Sequence, residues 1–196
     1  YTLQHYIHDI DASNLIDGKS IYYLVGQKNL TINSTAFPSI GYLAIVNSSY
    51  ITIENLTLMG NGQGLLLAYT TDSTIKNVTA TNNNHGIELF KSTNCSIYGN
   101  NIAFNGIGIW LKNSSRNYLH ENQVCHNDKG IWLSYSGPYN ILFKNNISEN
   151  FEGLALGWES HFNLVIKNIV SNNDVGIELV HSKGNTLSQN IIVDNI

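Results

Sequence analysis

Charge is scarce in this chain. Asp, Glu, Lys and Arg make up 12% of its 196 residues, and the formal net charge is −4. Only ten residues are Lys or Arg, which gives no basic patch and argues against nucleic acid as a partner. No apolar run approaches the roughly 20 residues a membrane span needs. Proline occurs twice, at Pro38 and Pro138, and nothing in the composition marks a linker, so one continuous domain is expected. The two cysteines, Cys95 and Cys125, fall in different repeat columns, so no disulfide framework is expected. Cys125 lines up with the small residues Ala80, Ala103, Ser148 and Ser171, which suggests a buried structural thiol. There is no initiator Met and no signal peptide, so the chain reads as a mature or excised fragment.

What the chain has in abundance is a repeat. Asn-x-x-Gly-(Ile/Leu)-x-Leu recurs with its glycine at 64, 86, 108, 130, 153 and 176, in steps of 22, 22, 22, 23 and 23. A period of that length is structural and takes precedence over any single residue. A second Asn column reads 55, 77, 100, 122, 145, 168 and 190, and a third reads 94, 117, 140, 163 and 185. Each repeat therefore holds short β-prone segments separated by Asn, Gly and Ser, too short to be helices. One repeat cannot bury its own apolar face and must stack on its neighbours. The expected fold is all-β: a right-handed, single-stranded parallel β-helix of about eight coils of 22–23 residues, rising by roughly the 4.8 Å strand spacing per coil. The asparagines have a structural reason. They tolerate left-handed turns, and in register they can hydrogen-bond along the stack.

Residues 1–40 do not follow the repeat. Two β-prone runs, Ile7 to Ile16 and Ile21 to Val25, flank the turn signal Asp17-Gly18. The segment is expected to be an N-terminal cap with an irregular first coil at Leu30-Thr31-Ile32, the repeats filling 41–196. No C-terminal cap is visible, so neighbouring domains of a longer surface protein, or a partner, are expected to cover the last coil. Eight Asn-x-Ser/Thr sequons give mild support for an extracellular location.

The stretch Gly18-Lys19-Ser20-Ile21-Tyr22-Tyr23-Leu24, followed by Ala44-Ile45-Val46-Asn47-Ser48-Ser49-Tyr50-Ile51-Thr52-Ile53-Glu54-Asn55-Leu56, resembles the start of NosD-like β-helix proteins. These belong to the wider group with carbohydrate-binding and sugar-hydrolase (CASH) repeats, of pectin-lyase-like fold, common in archaeal cell-surface proteins. The resemblance implies an extracellular, cell-surface or periplasmic location. It also implies one of two further roles, in copper-site maturation or in polysaccharide lyase, hydrolase or epimerase chemistry. A fold does not carry chemistry with it.

In each Gly-Ile-x-Leu segment the Ile and Leu should point inward and x outward. That outward column reads Leu66, Glu88, Trp110, Trp132, Ala155 and Glu178. Trp110 and Trp132, side by side on adjacent coils, suggest a platform for a polysaccharide, their spacing close to one sugar ring. Glu88, Lys112, Tyr135, Trp158 and Glu178 are the other candidate ligand-binding residues. The competing reading is that the two tryptophans pack on each other, or under a loop or partner. Catalysis would call on Glu88, Lys112, Glu152 or Glu178, but the acidic cluster a Ca²⁺-dependent lyase wants is missing. Asp128 and Asp174 lie two coils apart, on the order of 10 Å, slightly beyond the roughly 6.5–9.5 Å of inverting glycosidases. Lys129 and Glu152 are expected to form a surface ion pair of little energetic weight. His120, His126 and Cys125 lack a clear further ligand, so neither a metal nor another cofactor is expected. No residue is assigned as catalytic. The leading expectation is a structural or adhesive module with glycan binding on the Trp110/Trp132 face.

Overall fold

The computed structural model describes all residues, 1–196. The chain winds through eight coils as a parallel β-helix with three sheets. The first sheet carries the long strands of each coil, from Lys19–Val25 and Ile40–Val46 through His85–Phe90, Ile107–Lys112 and Lys129–Ser134 to Glu152–Gly157 and Val175–Val180. The other two sheets are built from strands of two or three residues, such as Tyr118–His120 and Gln123–Cys125. From Lys19 onward each strand pairs in parallel with its equivalent one coil away, Ile109 opposite Ile131 and Leu111 opposite Leu133. Those inward columns, with their counterparts from the short sheets, make one core of 29 buried residues.

The repeat's glycine has a steric cause. At Gly108 and Gly130 an added Cβ would stand 2.5 Å from the carbonyl oxygen of the next coil's glycine. The coils can stack at strand spacing only if that inward position has no side chain. The Asn column beside it is a continuous hydrogen-bonded ladder. Asn105 Nδ2 donates to Asn127 Oδ1 at 3.0 Å, and Asn127 Nδ2 to Asn150 Oδ1 at 3.0 Å, while each backbone N–H meets the same oxygens. These asparagines are buried, so the ladder satisfies backbone groups that the core would otherwise strand.

The other two Asn ladders are shorter than the sequence suggests. Val78 N–H donates to Asn100 Oδ1, so Val78 and not Asn77 holds the ladder position, and Leu56 precedes it in the same buried column. Asn55 and Asn77 stand one residue away, exposed at left-handed corners with φ of 53° and 51°. Likewise Cys95 N–H donates to Asn117 Oδ1, which places Cys95 in the third ladder and Asn94 on the exposed corner. Both roles suit Asn, so composition alone does not separate them. A further ladder is built of hydroxyls: Ser92 N–H donates to Ser114 Oγ and Ser114 N–H to Ser136 Oγ, each at 3.1 Å.

The cysteine assignment also changes. Cys125 pairs in register with Ala103 and Ser148, but Ala80 pairs with Ile102, so Thr81 rather than Ala80 belongs to the Cys125 column. That column faces outward and Cys125 is half-buried; the fully buried thiol is Cys95.

At the N-terminus, Leu15–Ile16 folds back antiparallel on Lys19–Val25 through Asp17 and Gly18, both at positive φ. The run from Ile7 to Asn14 is not a strand. Asp11 Oδ1 accepts from Ser13 N–H at 3.0 Å and from Asn14 Nδ2 at 3.2 Å, a local turn that outcompetes extension. Leu3–Tyr6 forms a single 3-10 turn laid across the outer face of the first sheet, where Leu3 and Tyr6 pack on Ala44, Val46, Leu66, Ala68 and Phe90. No helix is long and apolar enough to cross a membrane.

Candidate functional site

The outward face of the first sheet is divided by that N-terminal strap. Under it lies Glu88, only 7% exposed, where the sequence places it on the solvent face. Its carboxylate pairs with His85 Nδ1 at 2.9 Å. Tyr6 lies beside it, and its hydroxyl is pushed up to about 12, first by burial and then by the charge of Glu88. Tyr42 shifts upward mainly by burial, with charge from Tyr23 and Glu88 added. The expectation of an exposed Glu88 fails because the strap lies outside the repeat and its course cannot be read from the period.

Beyond the strap the face opens. Trp110 and Trp132 are paired in register, with ring centroids 4.9 Å apart and planes within 5°. Parallel indoles that close cannot lie side by side in one plane; they stack face to face, each hiding one face of the other. The competing reading, that the pair packs on itself, describes this contact, and the flat two-ring platform is corrected to a stack. Trp110 Nε1 donates to Ser134 Oγ at 2.8 Å, which fixes the ring's rotation. Lys112 Nζ lies 4.7 Å from the Trp110 centroid, and Lys129 Nζ 5.4 Å from that of Trp132.

Beside this stack is a cleft of about 290 Å³ lined by Trp110, Lys112, Trp132, Ser134, Tyr135 and Trp158. The structure thus gathers five of the seven sequence-predicted binding residues into one wall. Tyr135 and Trp158 stack at 6.4 Å across adjacent coils. Lys112 and Tyr135 are shared with a second cleft of about 340 Å³, completed by Tyr1, Phe90, Lys91 and Asn113. Ser134, Lys91 and Asn113 were not singled out from sequence; membership of the columns beside the tryptophans was the available signal. Glu88 and Glu178 stay outside both clefts, four coils apart in register.

The remaining acids are engaged or remote. Glu152 pairs with Lys129, as the column positions suggest, and Glu149 lies 3.0 Å from His126 Nε2. No carboxylate lines either cleft, and nowhere do three His, Cys, Asp or Glu side chains converge as a metal site would require. Aromatic walls with a few cations and hydroxyls can hold a flat, hydroxylated ligand by stacking and hydrogen bonds.

A family model described as "Right handed beta helix region" matches residues 41–192, well over half of the chain. No curated protein matches. Among solved structures, the chain is similar to the periplasmic alginate epimerase AlgG, at a TM-score of 0.68 and 17% identity over 85% of this chain and 46% of that one. It is also similar to the A-module of Azotobacter vinelandii mannuronan C-5 epimerase AlgE4, at a TM-score of 0.59 and 15% identity over 86% of this chain and 61% of that one. The chain thus spans about half the length of the alginate epimerase, and at these identities the likeness is one of fold.

Proposed function

The chain belongs to the right-handed β-helix family, and from that premise we propose that it is a non-catalytic, glycan-binding module of a cell-surface or periplasmic protein. Its ligand lies in the cleft beside the Trp110–Trp132 stack. The observation that carries this reading is the lining itself: three tryptophans, Tyr135, Lys112 and Ser134 meet in one cleft with no acid among them. Solved structures similar to it in fold include enzymes named for polysaccharide substrates, alginate and mannuronan, which supports a carbohydrate ligand. Lys112, with Lys91 beside it, favours sugars bearing an acidic group.

The second reading is a carbohydrate-active enzyme of epimerase, lyase or hydrolase type. Its support is the carboxylate–imidazole pair Glu88–His85, whose His85 ring stands edge-on to Trp110 at 4.9 Å. No carboxylate lines the cleft, so hydrolysis by two carboxylates has no pair to use there. The third option, an accessory role in copper-site maturation, has no cluster of ligands to build on.

A glycan array probed with wild type, Trp132→Ala and Trp158→Ala, with product release scored alongside, tests these readings. The proposal expects binding that falls about tenfold in each variant, with no product. Product would favour the enzyme. Absence of binding by wild type would sink the glycan reading and leave a structural solenoid.

A further inference from the structure

Two consecutive corners of the helix depart from the others. Between the first sheet and the next, each coil turns through two left-handed residues, three positions apart in Tyr69–Asp72, Lys91–Asn94 and Asn113–Arg116. In the next two coils they are four positions apart, Tyr135–Tyr139 and Trp158–Phe162, the latter with Glu159 also left-handed between them, before the shorter spacing returns at His181–Gly184. These insertions are why the glycine step lengthens from 22 to 23. In a solenoid, insertions into particular repeats map to loops on one face, often the one that binds.

The same two corners carry four aromatic residues at positive φ: Tyr135 (50°), Tyr139 (73°), Trp158 (50°) and Phe162 (55°). Left-handed geometry is costly for bulky side chains; the same columns elsewhere hold Asn29, Asn47, Asp72, Asn94, Asn113 and Gly184, together with the bulkier Tyr50, Tyr69, Lys91, Arg116 and His181. Burial does not offset that cost. The four are 50%, 60%, 51% and 52% exposed, whereas Tyr69, in the Tyr135 column, packs against Tyr6 and Phe90. Exposed aromatics at positive φ stand singly elsewhere, at Tyr50 and Phe104, but here four share two adjacent coils, and strain concentrated in one exposed aromatic ridge points to function rather than folding.

The ridge formed by the two turns separates two clefts. On one side is the Trp132–Trp158 cleft; on the other is a cleft of about 340 Å³ lined by Tyr139, Ile141, Phe162, Asn163, Leu164, Gly184 and Thr186. Gly184 is needed there, because a Cβ would stand 2.5 Å from the Phe162 ring. Gly137 brings the two turns together, since its Cβ would collide with the carbonyl oxygen of His161. From Tyr135 to Tyr139 the chain can reach at most about 14 Å, the span of a few sugar rings.

We propose that the Tyr139–Phe162 cleft is a second carbohydrate subsite, which takes further units of the glycan chain bound in the Trp132–Trp158 cleft, so that the polymer crosses the corner transverse to the helix axis. The proposal rests on the glycan reading above, and it adds the length and direction of the ligand. The lining fits that occupant: two aromatic faces, an aliphatic floor from Ile141 and Leu164, and the Thr186 hydroxyl.

The test is calorimetric titration of the full chain with oligomannuronate and cello-oligosaccharide ladders, dimer to octamer, for wild type and the double variant Tyr139→Asn/Phe162→Asn. Asn is chosen because Asn29 and Asn94 already occupy that column at positive φ, so the variant should melt no lower than wild type. Wild-type affinity should climb with ligand length, and the double variant should lose about tenfold on the octamer, from two aromatic contacts, with dimer affinity unchanged. Equal octamer affinity in both proteins, with dimers bound, overturns the second subsite and leaves the first standing. No binding of either ladder by wild type overturns both.

Discussion

A Cβ on Gly108 would stand 2.5 Å from the carbonyl oxygen of Gly130, and both atoms belong to strands fixed by parallel pairing on either side. The conflict is with backbone, so no rotamer change relieves it. Gly108→Ala is expected to lower stability by about 3 kcal/mol, the upper range for overpacking, read as a drop in the urea midpoint at constant slope. Gly62→Ala, where nothing lies within 4 Å, is the control and should change little.

The Asn122–Asn145 contact makes the same point with hydrogen bonds. Asn122 Oδ1 accepts from both the backbone N–H and the Nδ2 of Asn100, while its own Nδ2 donates to the Ile97 carbonyl at 2.8 Å and to Asn145 Oδ1 at 2.9 Å. Asn122→Ala strands several of these buried groups at once. A loss of about 3 kcal/mol or more is expected, larger than a cavity of that size alone would cause. Thermal melts of Asn122→Ala against the exposed corner variant Asn77→Ala check it, since Asn77 bonds to no ladder.

These two residues also show how much was legible in the sequence. Gly108 and Asn122 repeat because geometry admits little else, so the period gave the coil, the strands and the inward columns. Ladder starts were misread at Asn77 and Asn94, because asparagine serves equally in the ladder and on left-handed corners, and Val78 and Cys95 hold the ladder positions there. The tryptophan column was legible as a face, but ring rotation was not: alternation says which way a side chain leaves the strand, while the Trp110 bond to Ser134 sets how the indole lies. Glu88 was misplaced because the non-repeating Leu3 and Tyr6 pack on the same face, against Leu66 and Phe90, with Tyr6 close enough to feel the Glu88 charge.

The two cysteines should separate cleanly in labelling. Cys95 is 1% exposed, and burial pushes its thiol up to about 12. Cys125 is half-buried and shifts upward, by burial first and the Glu149 charge second. Native protein should react with one equivalent of iodoacetamide, at Cys125, faster as the pH rises, and with two only after unfolding. The Cys95 proton is held more tightly folded than unfolded. Its contribution to stability is therefore complete below the ordinary value of 9.0 and is lost as the pH rises towards 12. Cys95→Ser should flatten that alkaline decline, as measured by denaturant midpoints across the range.

Lys112 offers the sharpest test of ligand charge. Its ammonium lies 4.7 Å from the Trp110 centroid and 5.9 Å from that of Phe90, and it borders both clefts on the first sheet. Lys129, by contrast, is committed to Glu152. If the bound sugar carries an acidic group, Lys112→Gln should weaken binding of oligomannuronate by about tenfold at low salt, and the difference should shrink as added salt screens the charge. Lys129→Gln should leave that affinity near wild type. Neutral cello-oligosaccharides, if bound, should lose less on Lys112→Gln, because only the cation's stacking and alkyl contacts are removed. An equal loss for acidic and neutral ladders, insensitive to salt, would assign Lys112 to supporting Trp110 rather than to reading the ligand's charge.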